Sequence, residues 1–265
     1  MRSKNSLTKL FVVIISTSIL IFPGVSFSAW EKANDNGFGE TNTSAWSMIV
    51  FENQLYVGTC NVQGAQVWGF DGMLWNQLAD GGGGDPNNIC ISSITIFNKD
   101  LWAGTYNENG CQVGNSSGAG ISEGFGDLNN TQALSMAVFK DSLFVGTYNE
   151  ETGCEVWFTS DGASWKQANE DGFLDKDNII AYSMVVFGNY LYVGTLHVDP
   201  LQPHPDMCKG SQIWRTYAEG EPPFVWEKIN EDGFGDLVNF STDSMVTFNG
   251  YLYAETIHSV LSNCA

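Results

Sequence analysis

The sequence has few basic residues, and this lack excludes several kinds of partner. Eleven Lys and Arg stand against thirty Asp and Glu among 265 residues. Nucleic acids and anionic membrane surfaces are bound through basic patches, so neither is an expected partner. A sialidase needs a cluster of arginines to hold its carboxylate substrate, but after residue 28 the only arginine is Arg215. The sequence therefore predicts no sialidase activity.

The sequence also lacks a Cys-x-x-Cys pair, an HExxH zinc motif and a phosphate-binding loop, which leaves standard zinc and nucleotide sites without support. Six cysteines are present, an even number that favours disulfides in an exported chain, with the pairing left open by the sequence. They are Cys60, Cys90, Cys111, Cys154, Cys208 and Cys264.

Long apolar runs are missing except near the start of the chain. Three basic residues precede an apolar run over 10–25, and small serines follow at 26 and 28. This pattern predicts a signal peptide over 1–28, and the run is short for a membrane span. The mature protein, 29–265, would keep eight basic and thirty acidic residues, a formal charge of −22. We expect a protein that is secreted, periplasmic or attached to the cell surface, without a membrane span after its leader is removed.

A repeated pattern fills the mature chain. Two apolar segments joined by a short polar turn occur five times, and each copy predicts a β-hairpin. The copies are SMIVFENQLYVGT (47–59), SITIFNKDLWAGT (93–105), SMAVFKDSLFVGT (135–147), SMVVFGNYLYVGT (183–195) and SMVTFNGYLYAET (244–256). Their spacing matches a four-stranded propeller blade. The sequence predicts one all-β domain, a β-propeller of antiparallel blades with five visible repeats.

Two further strands and a linker complete the predicted blade. The third strand ends in Val-Trp or Ile-Trp, as at 65–68, and the fourth begins with Trp75, Trp165 or Trp226. A glycine-rich acidic loop such as NEDGFGD (230–236) would then lead to the next blade. Seven of the nine tryptophans recur at two fixed positions, so we interpret them as packing residues between blades.

The segment TSDGASW (159–165) resembles the Asp-box turn of sialidase-type propellers, although it is one residue shorter. The repeats are similar to those of exported bacterial β-propellers of uncharacterised function, with Asp-box-like or kelch-like units. The resemblance implies architecture alone, because Asp boxes lie away from the active site of those proteins.

The last repeat looks incomplete. The segment WEKAN (30–34) matches an outermost strand, which in a closed ring would complete the last blade. We expect either a truncated form of a longer propeller or a five-bladed ring in which VLSNCA (260–265) is the third strand.

Strand order predicts that the linkers share one end of the ring with the loops between second and third strands. Ligand sites usually lie on such loops. The candidate ligand-binding residues are Tyr106, Asn107, Tyr148, Asn149 and His197. A binding module for a glycan or an extracellular protein is favoured. The alternative is a carboxylate-dependent glycoside hydrolase, because acids are plentiful and their separation is not visible in sequence.

Two linkers place oxygen ligands at the first, third and seventh positions, which suits weak structural calcium binding. The candidate ligands are Asn169, Asp171, Asp175, Asn230, Asp232 and Asp236. The other interpretation is a plain turn in which Asp side chains cap backbone amides.

An insertion over 196–210 breaks the repeat. Its residues His197, Asp199, His204, Asp206 and Cys208 are compatible with a transition-metal site. A rigid proline-rich surface loop, with Cys208 in a disulfide, is the favoured interpretation.

Overall fold

A computed structural model describes residues 11–12, 31–39, 41–121, 123–203 and 206–258. The predicted signal peptide lies outside these ranges apart from Phe11–Val12. The described chain consists of β-strands and short 3₁₀ turns, with no α-helix in those ranges. None of the described helices is long and apolar enough to cross a membrane.

Two short strands precede the repeats, β1 (Phe11–Val12) and β2 (Glu31–Lys32). Four antiparallel four-stranded sheets follow, which we call blades 1 to 4. Blade 1 consists of β3 (Ser44–Phe51), β4 (Gln54–Cys60), β5 (Val67–Phe70) and β6 (Trp75–Ala79). Blade 2 consists of β7 (Cys90–Phe97), β8 (Asp100–Tyr106), β9 (Val113–Asn115) and β10 (Gly120–Ile121).

Blades 3 and 4 repeat this order, and a fifth hairpin ends the described chain. Blade 3 consists of β11 (Gln132–Phe139), β12 (Ser142–Tyr148), β13 (Val156–Thr159) and β14 (Lys166–Gln167). Blade 4 consists of β15 (Asn178–Phe187), β16 (Tyr190–His197), β17 (Ile213–Thr216) and β18 (Glu227–Lys228). The fifth hairpin consists of β19 (Asn239–Phe248) and β20 (Tyr251–His258).

The blades are arranged around a centre that is lined by their first strands, each of which contacts the first strand of the next blade. The end of each second strand pairs with the start of the next blade's first strand. These pairs are Cys60 with Cys90, Tyr106 with Gln132, Tyr148 with Ile180 and Leu196 with Ser241. The hydrophobic core lies between blades, as their strands, apolar on both faces, predicted. This is the predicted β-propeller arrangement.

Close packing of neighbouring blades requires a glycine in each second strand. A Cβ built on Gly146 would lie 2.6 Å from the Cβ of Ala181 in the next blade, and Gly58, Gly104 and Gly194 are equally crowded. Side chains are therefore excluded at this position wherever another blade follows. The fifth hairpin carries Glu255 there, exposed to solvent.

Blade 1 and the fifth hairpin, the first and last repeats, expose apolar side chains at positions that are better covered in the middle blades. Trp46 and Met48 of β3 are exposed, as are Tyr251 and Tyr253 of β20. Glu31–Lys32, predicted as an outermost strand, pairs in parallel with Phe11–Val12 and not with the fifth hairpin.

Each linker forms a 3₁₀ turn with positive φ angles. The turns span Asn36–Gly39, Gly81–Gly84, Glu123–Gly126, Asp171–Leu174 and Asp232–Gly235. In the fourth turn, Phe173 stacks on Trp214 with ring centroids 5.0 Å apart and meets Trp226 edge-on at 5.1 Å. Phe38 and Phe125 are held in the same way by two tryptophans of the blade they precede. In these three linkers, the glycine-rich loop therefore packs one aromatic ring against the next blade.

Candidate functional site

The linkers and the loops between second and third strands meet at one end of the ring, as strand order predicted. Gly153 of one such loop lies against Gly172 of the following linker, and Gly210 lies against Gly233 in the same way. These glycines have positive φ, so both the close approach and the turn exclude larger residues. We call this end the loop face.

Beneath the loop face, a polar network repeats from blade to blade. In blade 3, Asn130 donates Nδ2 to Glu155 Oε2 at 2.6 Å and accepts at Oδ1 from Thr147 Oγ1 at 3.0 Å. Trp157 Nε1 also donates to Glu155 Oε2, at 2.6 Å. Glu155 occupies a position held by Gln66, Gln112 and Gln212 in the other blades. Burial raises the pKa of Glu155, and the two donors act in the opposite direction.

Three of the predicted ligand-binding residues belong to this network. Asn107, Asn149 and His197 are buried, with at most 3% of their surface exposed. Asn149 Nδ2 donates to Asp127 Oδ2 at 3.0 Å, and its Oδ1 accepts the backbone N–H of Glu151. His197 lies 3.1 Å from Asp175 Oδ2 through Nε2 and 2.9 Å from the Gly210 carbonyl through Nδ1. Their polar atoms are thus engaged inside the protein and not presented at its surface.

The two predicted tyrosines remain half-buried on the loop face with carboxylates beside them. Tyr106 Oη donates to Glu108 Oε1 at 3.3 Å, and Tyr148 Oη donates to Glu150 Oε1. Burial raises the pKa of both tyrosines, and the neighbouring glutamates raise it further. Tyr106 and Tyr148 both pair with Gln132, one from each side, which places the two Tyr–Glu pairs on adjacent blades in one patch. We call these four residues the Tyr–Glu patch.

The oxygens of the predicted calcium ligands form hydrogen bonds with different parts of the protein. Asn169 Oδ1 accepts the backbone N–H of Val156 at 2.6 Å, and Asp171 Oδ1 accepts from Gln167 Nε2 at 2.7 Å. Asp175 Oδ1 accepts the N–H of Asp177 while its Oδ2 faces His197. The second linker repeats this divergence.

In that second linker, Asn230 accepts the N–H of Ile213 at 2.7 Å and Asp232 accepts from Lys228 Nζ at 2.9 Å. Asp236 accepts the N–H of Val238 and lies 3.6 Å from His258 Nε2. Each oxygen set is therefore engaged with protein groups, and calcium binding stays a prediction of the sequence.

The insertion after β16 is held by protein contacts. Val198 forms a β-bridge with Cys208, and Lys209 Nζ forms an ion pair with Asp177. Within the described ranges, no three His, Cys, Asp or Glu are grouped to hold a metal ion. His204, a predicted member of a transition-metal site, lies outside those ranges.

One disulfide joins neighbouring blades. Cys60 and Cys90, whose backbones pair across blades 1 and 2, are bonded to each other. Cys111, Cys154 and Cys208 are buried free thiols, and burial raises the pKa of each. The expected disulfide at Cys208 is absent among the described residues, and Cys264 lies beyond them.

The Asp-box-like turn has a clear physical role. Asp161 Oδ1 accepts the backbone N–H groups of Ala163 and Ser164, which hold the pKa of Asp161 below its ordinary value. Asp71, whose sequence departs from the Asp-box pattern, accepts two N–H groups in the same way at 2.8 Å. Both turns lie at the end of the ring opposite the loop face.

Sequence reasoning missed a pair of acids at the fifth hairpin. Glu255 stands where the other four repeats have glycine, and Asp243 stands where they have uncharged residues. A comparison of the repeats could therefore have found both acids. Burial raises the pKa of Asp243, and the charge of Glu255 raises it further. Asp243 accepts hydrogen bonds from Ser241 and Tyr182, which act in the opposite direction.

Arg215, the only arginine after residue 28, makes local contacts. Arg215 Nη2 lies 2.7 Å from Glu227 Oε2, and its guanidinium stands over the ring of Tyr190. Both contacts lie away from the loop face.

No protein-family profile and no curated protein matches this chain. Among solved structures, it is similar to virginiamycin B lyase from Staphylococcus aureus, with 10% sequence identity and a TM-score of 0.56 over 81% of this chain. It is also similar to the extracellular domain of a hybrid two-component system from B. thetaiotaomicron, with 18% identity and a TM-score of 0.53 over 81% of this chain. The shared feature is the β-propeller fold.

The matches cover 63% and 26% of those two proteins. An arabinanase from Bacillus subtilis matches with 13% identity over 82% of this chain and 91% of the enzyme, at a TM-score of 0.46. That score is too low to support an argument, and identities this low show the fold alone.

Proposed function

We propose that the protein is an exported glycan-binding module that uses the Tyr–Glu patch on its loop face. The observation that carries the proposal is the pairing of two half-buried tyrosines with two exposed carboxylates on adjacent blades. Carboxylates accept hydrogen bonds from sugar hydroxyls, and tyrosine rings cover apolar C–H faces. Tyr106 and Tyr148 would supply the rings, and Glu108 and Glu150 the acceptors.

The charge of the chain narrows the class of glycan. A surface with a formal charge of −22 after leader removal repels anionic ligands. The one arginine is paired with Glu227, so no arginine is free to hold a carboxylate on the sugar. A neutral or cationic glycan therefore fits best.

A glycan array tests the proposal. We expect the mature protein to bind a limited set of neutral or amino sugars, and the double variant Tyr106→Ala with Tyr148→Ala to lose that signal. Tyr217→Ala is the matched control, because Tyr217 is exposed at the opposite end of the ring. Failure of the wild type to bind any glycan, or equal loss in the control, would contradict the proposal.

A second candidate function is glycoside hydrolysis at Asp243 and Glu255. Glu255 pairs across the hairpin with Ser244, the residue after Asp243, so the two acids lie on neighbouring positions. A carboxyl with a raised pKa near a second carboxylate is the arrangement that glycosidases use for general acid catalysis. The two acids also break the repeat, unlike those of the linkers. A panel of aryl glycosides should then release product with the wild type and not with Asp243→Asn. Absence of release from every substrate would rule against this function.

A further inference from the structure

Blade 2 lacks three aromatic rings that occupy equivalent places in blades 1, 3 and 4. Those blades each hold a linker phenylalanine between a third-strand and a fourth-strand tryptophan. In blade 2, the linker position is Gly83 and the third-strand position is Gly114. Strand register assigns the fourth-strand position to Gly118, because Gly114 pairs with Gly120 as Trp157 pairs with Gln167. Glycine has replaced the aromatic residue at all three places.

The missing rings leave a groove between blades 1 and 2. Its volume is about 790 Å³, and all three glycines line it. Apolar side chains from both blades form its walls, among them Val67, Ile91 and Val113. This volume lies within the range of small-molecule sites, and apolar walls with a few polar groups are their usual lining.

One polar group in the groove has lost its aromatic partner. In blades 1 and 4 the third-strand tryptophan donates its indole N–H to the glutamine two residues earlier, at 2.9 and 3.0 Å. The corresponding Gln112 has no indole to accept from. Within the described ranges, its Oε1 accepts only from Asn88 Nδ2, at 3.0 Å. Gln112 lines the groove, so this acceptor is open to a ligand donor.

A buried hydroxyl beside it is also short of a partner. Thr147 and Thr195 donate to an asparagine at or just before the start of the first strand of their blades, Asn130 at 3.0 Å and Asn178 at 2.8 Å. Thr105, which lines the groove and is 6% exposed, accepts the backbone N–H of Gln112 at Oγ1 at 2.8 Å, but its own O–H donates to no acceptor in the described part of the chain. A buried polar group without its hydrogen bond is costly unless a ligand supplies a partner.

We propose that this groove binds a free, flat, fused-ring heteroaromatic molecule with an N–H donor. Its rings take the space of the absent tryptophans, and its N–H donates to Gln112 Oε1 as the indoles of blades 1 and 4 do to their glutamines. The groove lies between two blades and is formed by other residues than the Tyr–Glu patch, so this site is separate from the proposed glycan site.

Indole and 1-methylindole are the probes, titrated into the purified mature protein by calorimetry. Indole should bind with a Kd of about 1 mM or tighter, in keeping with a ligand of its size. 1-Methylindole keeps the fused rings and loses the donor, so its affinity should be about five- to tenfold lower, the worth of one hydrogen bond.

Two variants locate the site. Gly114→Trp restores the tryptophan of the other blades, and its Cβ would meet only the Ala119 carbonyl, at 3.4 Å. Gly114→Trp should abolish indole binding. The control is Ala163→Trp, at an exposed position in the turn between the third and fourth strands of blade 3, and this variant should bind indole as the wild type does. Gly83→Phe is the second test should Gly114→Trp not fold. No atom lies within 4 Å of its Cβ, and phenylalanine holds a similar positive φ, between 57° and 65°, in the four other linkers.

Three results would overturn the proposal. The first is no heat of binding with indole at about 10 mM, well above the expected Kd. The second is equal affinity for indole and 1-methylindole, which would remove Gln112 from the site. The third is unchanged indole binding in a folded Gly114→Trp or Gly83→Phe variant.

Discussion

In three of the five linkers, a single phenylalanine fixes the linker to the blade that follows. Phe173 is 5% exposed between two tryptophans, whereas Phe234, its counterpart before the fifth hairpin, is 51% exposed. No tryptophan packs on Phe234 among the described residues. Phe173 and Phe234 occupy the same position of the turn in two different environments. Truncating each of them therefore gives a matched pair of variants that differ in the tryptophan contacts.

Phe173→Ala should lower the free energy of unfolding by about 3–5 kcal/mol, the usual loss when a buried phenylalanine is truncated. Phe234→Ala should cost less than about 1 kcal/mol, as an exposed position does. Urea unfolding of the two variants measures both values. Equal losses would show that the tryptophan pair is not what stabilises the linker.

A buried carboxyl gives the protein a predictable response to pH. Glu155 stands where the other blades have glutamine, and burial raises its pKa. The folded protein then holds the proton more tightly than the unfolded chain. The stability contributed by Glu155 is therefore complete below the ordinary glutamate pKa and is lost as pH rises through the raised value.

Glu155→Gln should remove this dependence, because glutamine accepts the same hydrogen bonds without a charge. We expect the variant to melt at a higher temperature than the wild type at about pH 7.5, with a smaller difference at about pH 4, where Glu155 is largely protonated in both states. Melting curves at the two pH values measure this. A difference that is the same at both would contradict the assignment.

At the scale of strands and loops, the disulfide between β4 and β7 is the only covalent bond between side chains of different blades in the described ranges. Its cysteines are 30 residues apart in sequence. Replacing both by serine should cost about 3–4 kcal/mol, the entropy of closing a loop of that length. A reductant should lower the melting temperature of the wild type and leave that of Cys60→Ser/Cys90→Ser unchanged. An equal drop in both proteins would point to another bridge.

The linkers make a separate prediction about calcium. Asp171 and Asp232 accept hydrogen bonds from the fourth strand that precedes them, and each asparagine faces the third strand. Since these oxygens diverge, we expect the same melting curve in millimolar calcium and in EDTA. A calcium-dependent rise in melting temperature that Asp171→Asn with Asp232→Asn removes would instead establish the sites that the spacing predicts.

Elements were easier to predict than side-chain roles. The five hairpins follow from apolar segments flanking polar turns, and strand order then placed the linkers and the long loops at one end. The roles of Asn107, Asn149 and His197 could not be predicted, because their burial depends on partners 13 to 22 residues away, such as Asn88 for Asn107. A polar residue in a loop looks the same in sequence whether it faces solvent or caps a neighbouring strand.

For the whole molecule, the repeat explains the scaffold and the departures from it suggest the function. The sequence placed tryptophans as packing residues, and the aromatic contacts of Phe38, Phe125 and Phe173 agree with that. The groove between blades 1 and 2 was not foreseen, because Gly83, Gly114 and Gly118 are seen to replace aromatic residues only when the blades are aligned by strand register. The acids at the fifth hairpin were missed for the same reason.

The central claim is that the loop face is the surface that binds a glycan. Hydrogen–deuterium exchange of the mature protein, with and without the best ligand from the glycan array, tests it most directly. We expect slower exchange in the loops after β8 and β12, residues 106–110 and 148–153, and no change in the hairpin turns at the opposite end, such as 52–53 and 140–141. Protection confined to those turns, or to the fifth hairpin, would contradict it.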